Sequence, residues 1–257
     1  MLEILGYSLF ILAGLLFGLF GSGGSIIIIP ILIYIFKLSI YEATTYSLLL
    51  VFITSFFGTC KHIYQKNFQI PNLGYFILPT LLFTFLSRTF LFSAIPDYVD
   101  SLNISKDSLL MLLFAVVIFA ASLSFFKTIQ ININSNYKLV LIMIGVIIGI
   151  LTGLLGIGGG FIILPALVLF AGLDMRQAAS STLFIIMLNT LLAIILELTI
   201  FNFLFNISFI TTLLFMLILG IILGIKLLNT LDLNIVKKLF SITLLVLSLC
   251  LFLLELF

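Results

Sequence analysis

The chain has 257 residues, 63% of them hydrophobic and 8% charged, with a formal net charge of +2. A soluble domain averages about 45–50% apolar and about 25% charged residues, so this chain has too little charge to coat a water-facing surface. A soluble enzyme, a nucleic-acid-binding protein and a disordered chain are excluded, and the bilayer is the solvent for most of the sequence.

At about 20 residues per spanning helix, the length allows about ten segments with short connections and leaves no tract for a soluble domain. The first half reads as segments over 4–20, 24–37, 43–61, 73–95 and 107–127. The second reads as 139–155, 159–173, 178–199, 206–229 and 236–256. Turn residues mark the breaks, most densely Gly21-Ser-Gly-Gly24 and Gly156-Ile-Gly-Gly-Gly160. Met1-Leu-Glu-Ile lacks a basic start and no A-x-A site follows, so no cleavable signal peptide is expected. Trp is absent, which leaves Tyr for the aromatic belts; Tyr7, Tyr41, Tyr64, Tyr75, Tyr98 and Tyr137 fall near the ends of apolar runs. Cys60 and Cys250 make no framework.

An internal repeat organises the segments. Residues 14–48 align with 149–183 at a constant offset of 135, without gaps. Gly14 meets Gly149, Gly18 meets Gly153, Gly21 meets Gly156, Gly23 meets Gly158, Gly24 meets Gly159 and Pro30 meets Pro165. Five glycines and a proline in register define two homologous membrane repeats, 1–127 and 138–257, joined by the polar linker 128–137. The third segment of each half opens alike. Ser39-x-x-Glu42 and Asp174-x-x-Gln177 resemble capping boxes, which gives Glu42 a structural role.

Charge sets the orientation. Lys61 and Lys66, the linker flanks Lys127 and Lys138, and Lys226, Lys237 and Lys238 all fall on one side. Glu3, Glu255, Asp97, Asp100 and Asp107 fall on the other. The lysine side is cytoplasmic by the positive-inside rule, so both termini lie outside, on the periplasmic face. An odd number of crossings per half turns the second half upside down. The expected fold is an all-α polytopic membrane protein of two inverted repeats of about five segments each. The first two segments of each half form either full crossings or a re-entrant hairpin broken at the glycine turn. A single broken crossing would move the 226–238 lysines outside and is rejected.

The glycine turns are candidate chemistry. The segments after them, 25–37 and 160–173, are about 20 Å long against a hydrocarbon core of about 30 Å, which sets each turn about 10 Å inside the membrane. Irregular backbone there lines a cavity or is buried in protein. A helix start presents amide N–H groups and partial positive charge, which suits a small anion near the midplane. Gly21, Ser22, Gly23, Gly24 and Ser25, with Gly156, Gly158, Gly159 and Gly160, are therefore candidate anion-binding residues. Tight packing of small residues, including Gly14-x-x-x-Gly18 and Gly149-x-x-x-Gly153, is the competing reading.

Arg88 lies in the apolar run from Leu73 to Ala94, eight residues before Pro96. A charge about 12 Å below its helix end costs at least about 2.5–3.5 kcal/mol on insertion scales. Arginine cannot deprotonate, and its planar fork suits a sulfonate, sulfite or carboxylate. Snorkelling outward or pairing with backbone carbonyls is the alternative. Thr44, Thr45 and Ser47 open the third segment, and Ser180, Ser181 and Thr182 open its counterpart. Thr45 and Ser181 join the candidate site, against the alternative that such hydroxyls bond back to their own helix. Thr54 and Asn189, again 135 apart, are weaker candidates, and Glu197 either carries protons or faces water. His62, beside Lys61, reads as an interfacial anchor. No catalytic cluster, metal-ligand set or cofactor motif is present, so no enzyme, metal or cofactor is expected.

The pattern G-x-x-x-G-x-x-G-x-G-G-x-x-x-x-x-P occurs at Gly14–Pro30 and again at Gly149–Pro165, each followed by a loop and an Ala/Ser/Thr-rich helix start. The doubled motif resembles the TauE/SafE sulfite exporter (TSUP) family over nearly the whole chain. One departure is Ser25, which stands where the second turn has its third consecutive glycine, Gly160. The resemblance implies a secondary transporter of small sulfur-containing anions, such as sulfite, sulfoacetate or other sulfonates. It would act in the bacterial inner membrane, chiefly in export, with a proton as the candidate coupling ion. The expected partners are a small anion and the lipid bilayer, without nucleic acid. An uptake carrier or facilitator for another anion, such as a carboxylate, and a non-transporting membrane scaffold are the alternative functions.

Overall fold

Inside a bilayer no water satisfies backbone amides, so apolar runs of this length form helices or nothing stable. In the computed structural model the described residues are 2–20, 24–64, 74–99, 103–126, 137–156, 158–170, 172–173, 175–228, 230 and 233–256. Gly21, Ser22 and Gly23 of the first turn, Asp174, and all of the 128–137 linker except its last residue lie outside them. The helices are α1 (Leu2–Phe20), α2 (Ser25–Pro30), α3 (Ile40–Tyr64), α4 (Gly74–Leu86), α5 (Phe92–Ala94), α6 (Lys106–Phe126) and α7 (Tyr137–Leu155). They continue with α8 (Gly160–Phe170), α9 (Met175–Thr199), α10 (Ile207–Leu228) and α11 (Leu233–Leu256). Two-residue strands β1 (Tyr98–Val99) and β2 (Ile104–Ser105) pair antiparallel in the loop between α5 and α6.

Among the described residues seven stretches are long and apolar enough to cross a membrane, including Ile40–Cys60, Gly74–Ala94 and Gln177–Thr199. The protein is a polytopic all-α membrane protein. Exposed side chains such as Leu78, Phe90, Met143, Phe215 and Leu253 are large and apolar, a surface suited to lipid. The helices that follow the two glycine turns are shorter than expected. α2 with its continuation ends at Ile35 and α8 at Phe170, so each is about 16 Å long and cannot span about 30 Å alone.

Two π-helical stretches were not expected from the sequence. Ile31–Ile35 continues α2 directly after Pro30, and Ser87–Leu91 joins α4 to α5. The box opening α3 forms as expected: Ser39 N–H donates to Glu42 Oε2 at 3.2 Å, and Glu42 N–H donates to Ser39 Oγ at 3.3 Å. Asp174 falls outside the described residues, so its box is not described.

The chain divides into two compact units, each drawing on both sequence halves. One comprises Met1–Ala43, Ser93–Thr128 and Phe215–Phe257. Here α6 packs on α11, and Gly14 and Gly18 of α1 meet Gly220 and Gly224 of α10 backbone to backbone. A Cβ on Gly14 would overlap the Leu217 carbonyl, so this G-x-x-x-G is a packing device. Tyr34 donates its hydroxyl to Glu255.

The other unit comprises Thr44–Phe92 and Ile129–Leu214. Its tightest seam joins α4 to α7. Gly145, Gly149 and Gly153 form a glycine stripe along α7 that lets the α4 backbone approach at Phe76, Thr80 and Thr84. Thr84 Oγ1 donates to the Gly149 carbonyl at 3.3 Å and Ser87 Oγ to the Ile150 carbonyl at 2.9 Å. The packing reading therefore holds for Gly149 and Gly153.

Candidate functional site

The second unit gathers most of the buried polar chemistry around Arg88. The π-helical turn Ser87–Leu91 carries this residue, and such turns recur at functional positions because the extra residue re-aims side chains. Arg88 is 1% exposed, so the snorkelling alternative is out.

Each nitrogen of the guanidinium has a partner. Nε donates to Glu197 Oε1 at 2.6 Å, a buried ion pair between residues 1% and 0% exposed. Nη1 donates to Thr44 Oγ1 at 3.1 Å and to the Gly153 carbonyl at 3.4 Å, and Nη2 donates to Thr45 Oγ1 at 2.9 Å. The Phe92 ring covers one face, with its centroid 4.7 Å from Cζ. Thr45, a candidate from the sequence, is among the partners of Arg88. Glu197 enters as its direct counter-ion, a role the sequence reading did not assign. The signal was electrostatic: an arginine buried in lipid needs a balancing charge, and Glu197 is an acid within an apolar run.

Thr44 links Arg88 to the second glycine turn. A Cβ on Gly156 would lie 2.6 Å from Thr44 Cβ and 2.8 Å from its carbonyl oxygen. Further along the turn, a Cβ on Gly158 would lie 2.8 Å from Ile186 Cγ2 and 3.0 Å from Val51 Cγ1. Val51 stands near the middle of α3 and Ile186 near the middle of α9, each helix being 25 residues long. The turn is therefore lodged between the midpoints of two long apolar helices. Gly156, Gly158 and Gly159 have φ of 64°, 71° and 71°, a left-handed backbone that glycine alone adopts without strain. Gly160 opens α8 and is fully enclosed.

The remaining candidates separate. Ser181 is fully buried on α9 but lies sixteen residues before Glu197, about 24 Å along the helix, so it does not join Arg88. Ser180 Oγ donates to the Gln177 carbonyl and Thr54 Oγ1 to the Leu50 carbonyl, the back-bonding alternative. Gly24 and Ser25 belong to the other unit, where Gly24 packs against Ala13 and Phe17 of α1. Its φ is −69°, unlike the left-handed φ of its counterpart Gly159.

Orphaned polar atoms occur in the same unit. Ser47 Oγ, Thr152 Oγ1, Thr182 Oγ1 and both amide atoms of Asn189 are buried without a hydrogen-bond partner. Thr152 Oγ1 lies 2.7 Å from where a Cβ on Gly159 would stand, and Asn189 precedes Thr190, whose Cγ2 meets Gly158 in the same way at 3.2 Å. By helical periodicity Asn189 shares a face of α9 with Ile186, Ala193 and Glu197.

Aromatic rings close the Glu197 end. After α9 the segment 200–206 turns back, and Phe203 N–H donates to the Glu197 carbonyl at 3.0 Å. The rings of Phe203, Phe205 and Phe209 surround Tyr46 at 5.7, 5.8 and 5.3 Å, and the Tyr46 hydroxyl accepts from Asn206 N–H. Among the described residues no group of three His, Cys, Asp or Glu side chains could hold a metal ion. The arrangement offers a fixed cation, a tethered carboxylate, hydroxyls and a glycine backbone, which suits binding a small anion.

Comparison with known proteins places this geometry. The family described as "Sulfite exporter TauE/SafE" matches residues 7–251. A "Probable membrane transporter protein" of Methanocaldococcus jannaschii is 31% identical over 196 residues, covering 73% of this chain and 69% of the relative. No solved structure matches the chain.

Proposed function

We propose that this chain, which belongs to the sulfite exporter TauE/SafE family of membrane transporters, is a secondary carrier of small sulfur-containing anions. Sulfite, sulfoacetate and other sulfonates are its cargo class, and net export across the inner membrane is its working direction. The direction follows the exporter description of the family.

One observation carries the reading. Arg88 is a permanently charged fork buried in the membrane, its Nη1 and Nη2 resting on neutral hydroxyls, beside a glycine turn at mid-depth. A tetrahedral oxyanion can replace weak neutral acceptors with charge-assisted bonds to the same nitrogens. Thr44 and Thr45 would then turn their hydroxyls to donate to the anion. The cover of 200–206 and the glycine turn would act as the two barriers that open in turn, and the two halves would run in inverted topology with both termini outside.

The test is flux. Purified protein in proteoliposomes should exchange labelled sulfite and sulfoacetate across the membrane and acetate much less. Equal exchange of acetate would move the cargo to carboxylates, and no exchange of any of them would remove the reading.

A further inference from the structure

Glu197 occupies Arg88 where an anion has to bind. We propose that Glu197 is the proton site of the carrier: it holds Arg88 while the site is empty and takes up one proton as an anion arrives. The inference rests on the anion-carrier reading above and adds the coupling ion, its residue and its stoichiometry.

Charge balance makes the argument. The empty pair is neutral, with Nε and Oε1 at 2.6 Å and both side chains enclosed. A monoanion reaching Arg88 would leave a net negative charge in a low-dielectric interior, where like charges repel strongly. Arg88 cannot change its charge. The Glu197 carboxylate is fully enclosed, away from water. A proton on its carboxylate restores neutrality and frees Nε for the anion.

Among the described residues, the acids and bases on the surrounding elements lie elsewhere on them or already have a partner. From α3 come the hydroxyls of Thr44 and Thr45, then Tyr46, whose hydroxyl is held by Asn206. The first turn of α3 also carries Tyr41 and Glu42, whose carboxylate is held by Ser39, and Cys60, Lys61, His62 and Tyr64 lie at the opposite end. α7 offers the Gly153 carbonyl and keeps Tyr137 and Lys138 in its first turn, about 22 Å away along the helix. α8 has no ionisable side chain, and α4 has Tyr75 thirteen residues before Arg88. On α9 itself Arg176 lies in the first turn.

The cycle balances. A proton from water on one face forms the O–H of Glu197, and the Arg88 N–H bonds pass from the carboxylate to the anion. On the other face the anion leaves, the proton returns to water and the ion pair re-forms. One proton accompanies each anion, so a monoanion crosses without net charge and the two gradients together set the direction.

The experiment loads proteoliposomes with methanesulfonate, or with hydrogensulfite in acidic buffer, both monoanions, and a lumenal pH dye, then dilutes them into anion-free buffer. Protein-free vesicles correct for passive leak of acid and anion. Wild-type protein should alkalinise the lumen by one proton per anion released. Glu197→Gln, which has no carboxyl proton to give up, should lose the proton signal relative to the labelled anion it still releases. Glu197→Asp should keep the proton signal with a shifted pH dependence. Anion release without proton movement in the wild type overturns the proposal, as does a proton signal that survives in Glu197→Gln, while the carrier reading stands. Absence of any anion exchange in the wild type removes the carrier reading and this proposal with it.

Discussion

Arg88 Nε donates to Glu197 Oε1 across 2.6 Å, although 109 residues separate them and they come from opposite halves of the repeat. The 135-residue offset sets His62 against Glu197 and Leu223 against Arg88, so the repeat does not reproduce the pair. The Arg88–Glu197 pair therefore has no like pair at the offset positions.

That pairing decides how Arg88 variants behave. Arg88→Gln strands the Glu197 carboxylate in a buried site, which destabilises by about 3–5 kcal/mol. Arg88→Gln combined with Glu197→Gln restores neutrality and should recover most of that loss. Melting temperatures of the purified single and double variants check this. A double variant no more stable than Arg88→Gln would show that the two side chains are not coupled.

Asn189 should matter for cargo rather than for folding. Its amide is fully buried and unpartnered, and an unmade hydrogen bond costs about 1–3 kcal/mol. Asn189→Leu should therefore match or exceed the wild type in thermal stability while sulfoacetate exchange falls several-fold. Loss of stability together with unchanged exchange would make Asn189 a structural residue.

The glycine turn is required by backbone geometry as well as by space. Gly158→Ala meets a φ of 71° and a neighbour at 2.8 Å, so it should destabilise by about 1–3 kcal/mol. Gly74→Ala, which has open space around its Cβ, should be near neutral. Equal stability of the two variants would contradict the strained turn.

Topology is open to labelling. With Cys60 and Cys250 replaced by serine, single cysteines at Asn134 and Asp100 should react from opposite sides of the membrane. Reaction of both from the periplasmic side would rule out inverted repeats.

Much of this was legible along the chain. Apolar runs with turn residues between them gave the segments, and the Ser39–Glu42 box reads directly because capping is local. Other features were not legible. The Arg88–Glu197 pair and the Gly153 acceptor are contacts between helices distant in sequence. The π turn under Arg88 has no local signature, and the left-handed glycines follow from how the turn is wedged between α3 and α9. Ser181 looked like a partner of Thr45 because the repeat aligns their neighbourhoods, yet Arg88 recruits hydroxyls from α3.

The central claim is that Arg88 binds the transported anion, and the neutral Arg88→Gln/Glu197→Gln variant tests it without a stranded charge. Calorimetric titration of sulfite and sulfoacetate into wild type and this variant, each checked for its melting temperature, is the measurement. The account predicts binding to the wild type and at least about 30-fold weaker binding to the variant, the scale of losing a buried charge contact. Wild-type affinity in a well-folded double variant would contradict it and remove Arg88 from the site.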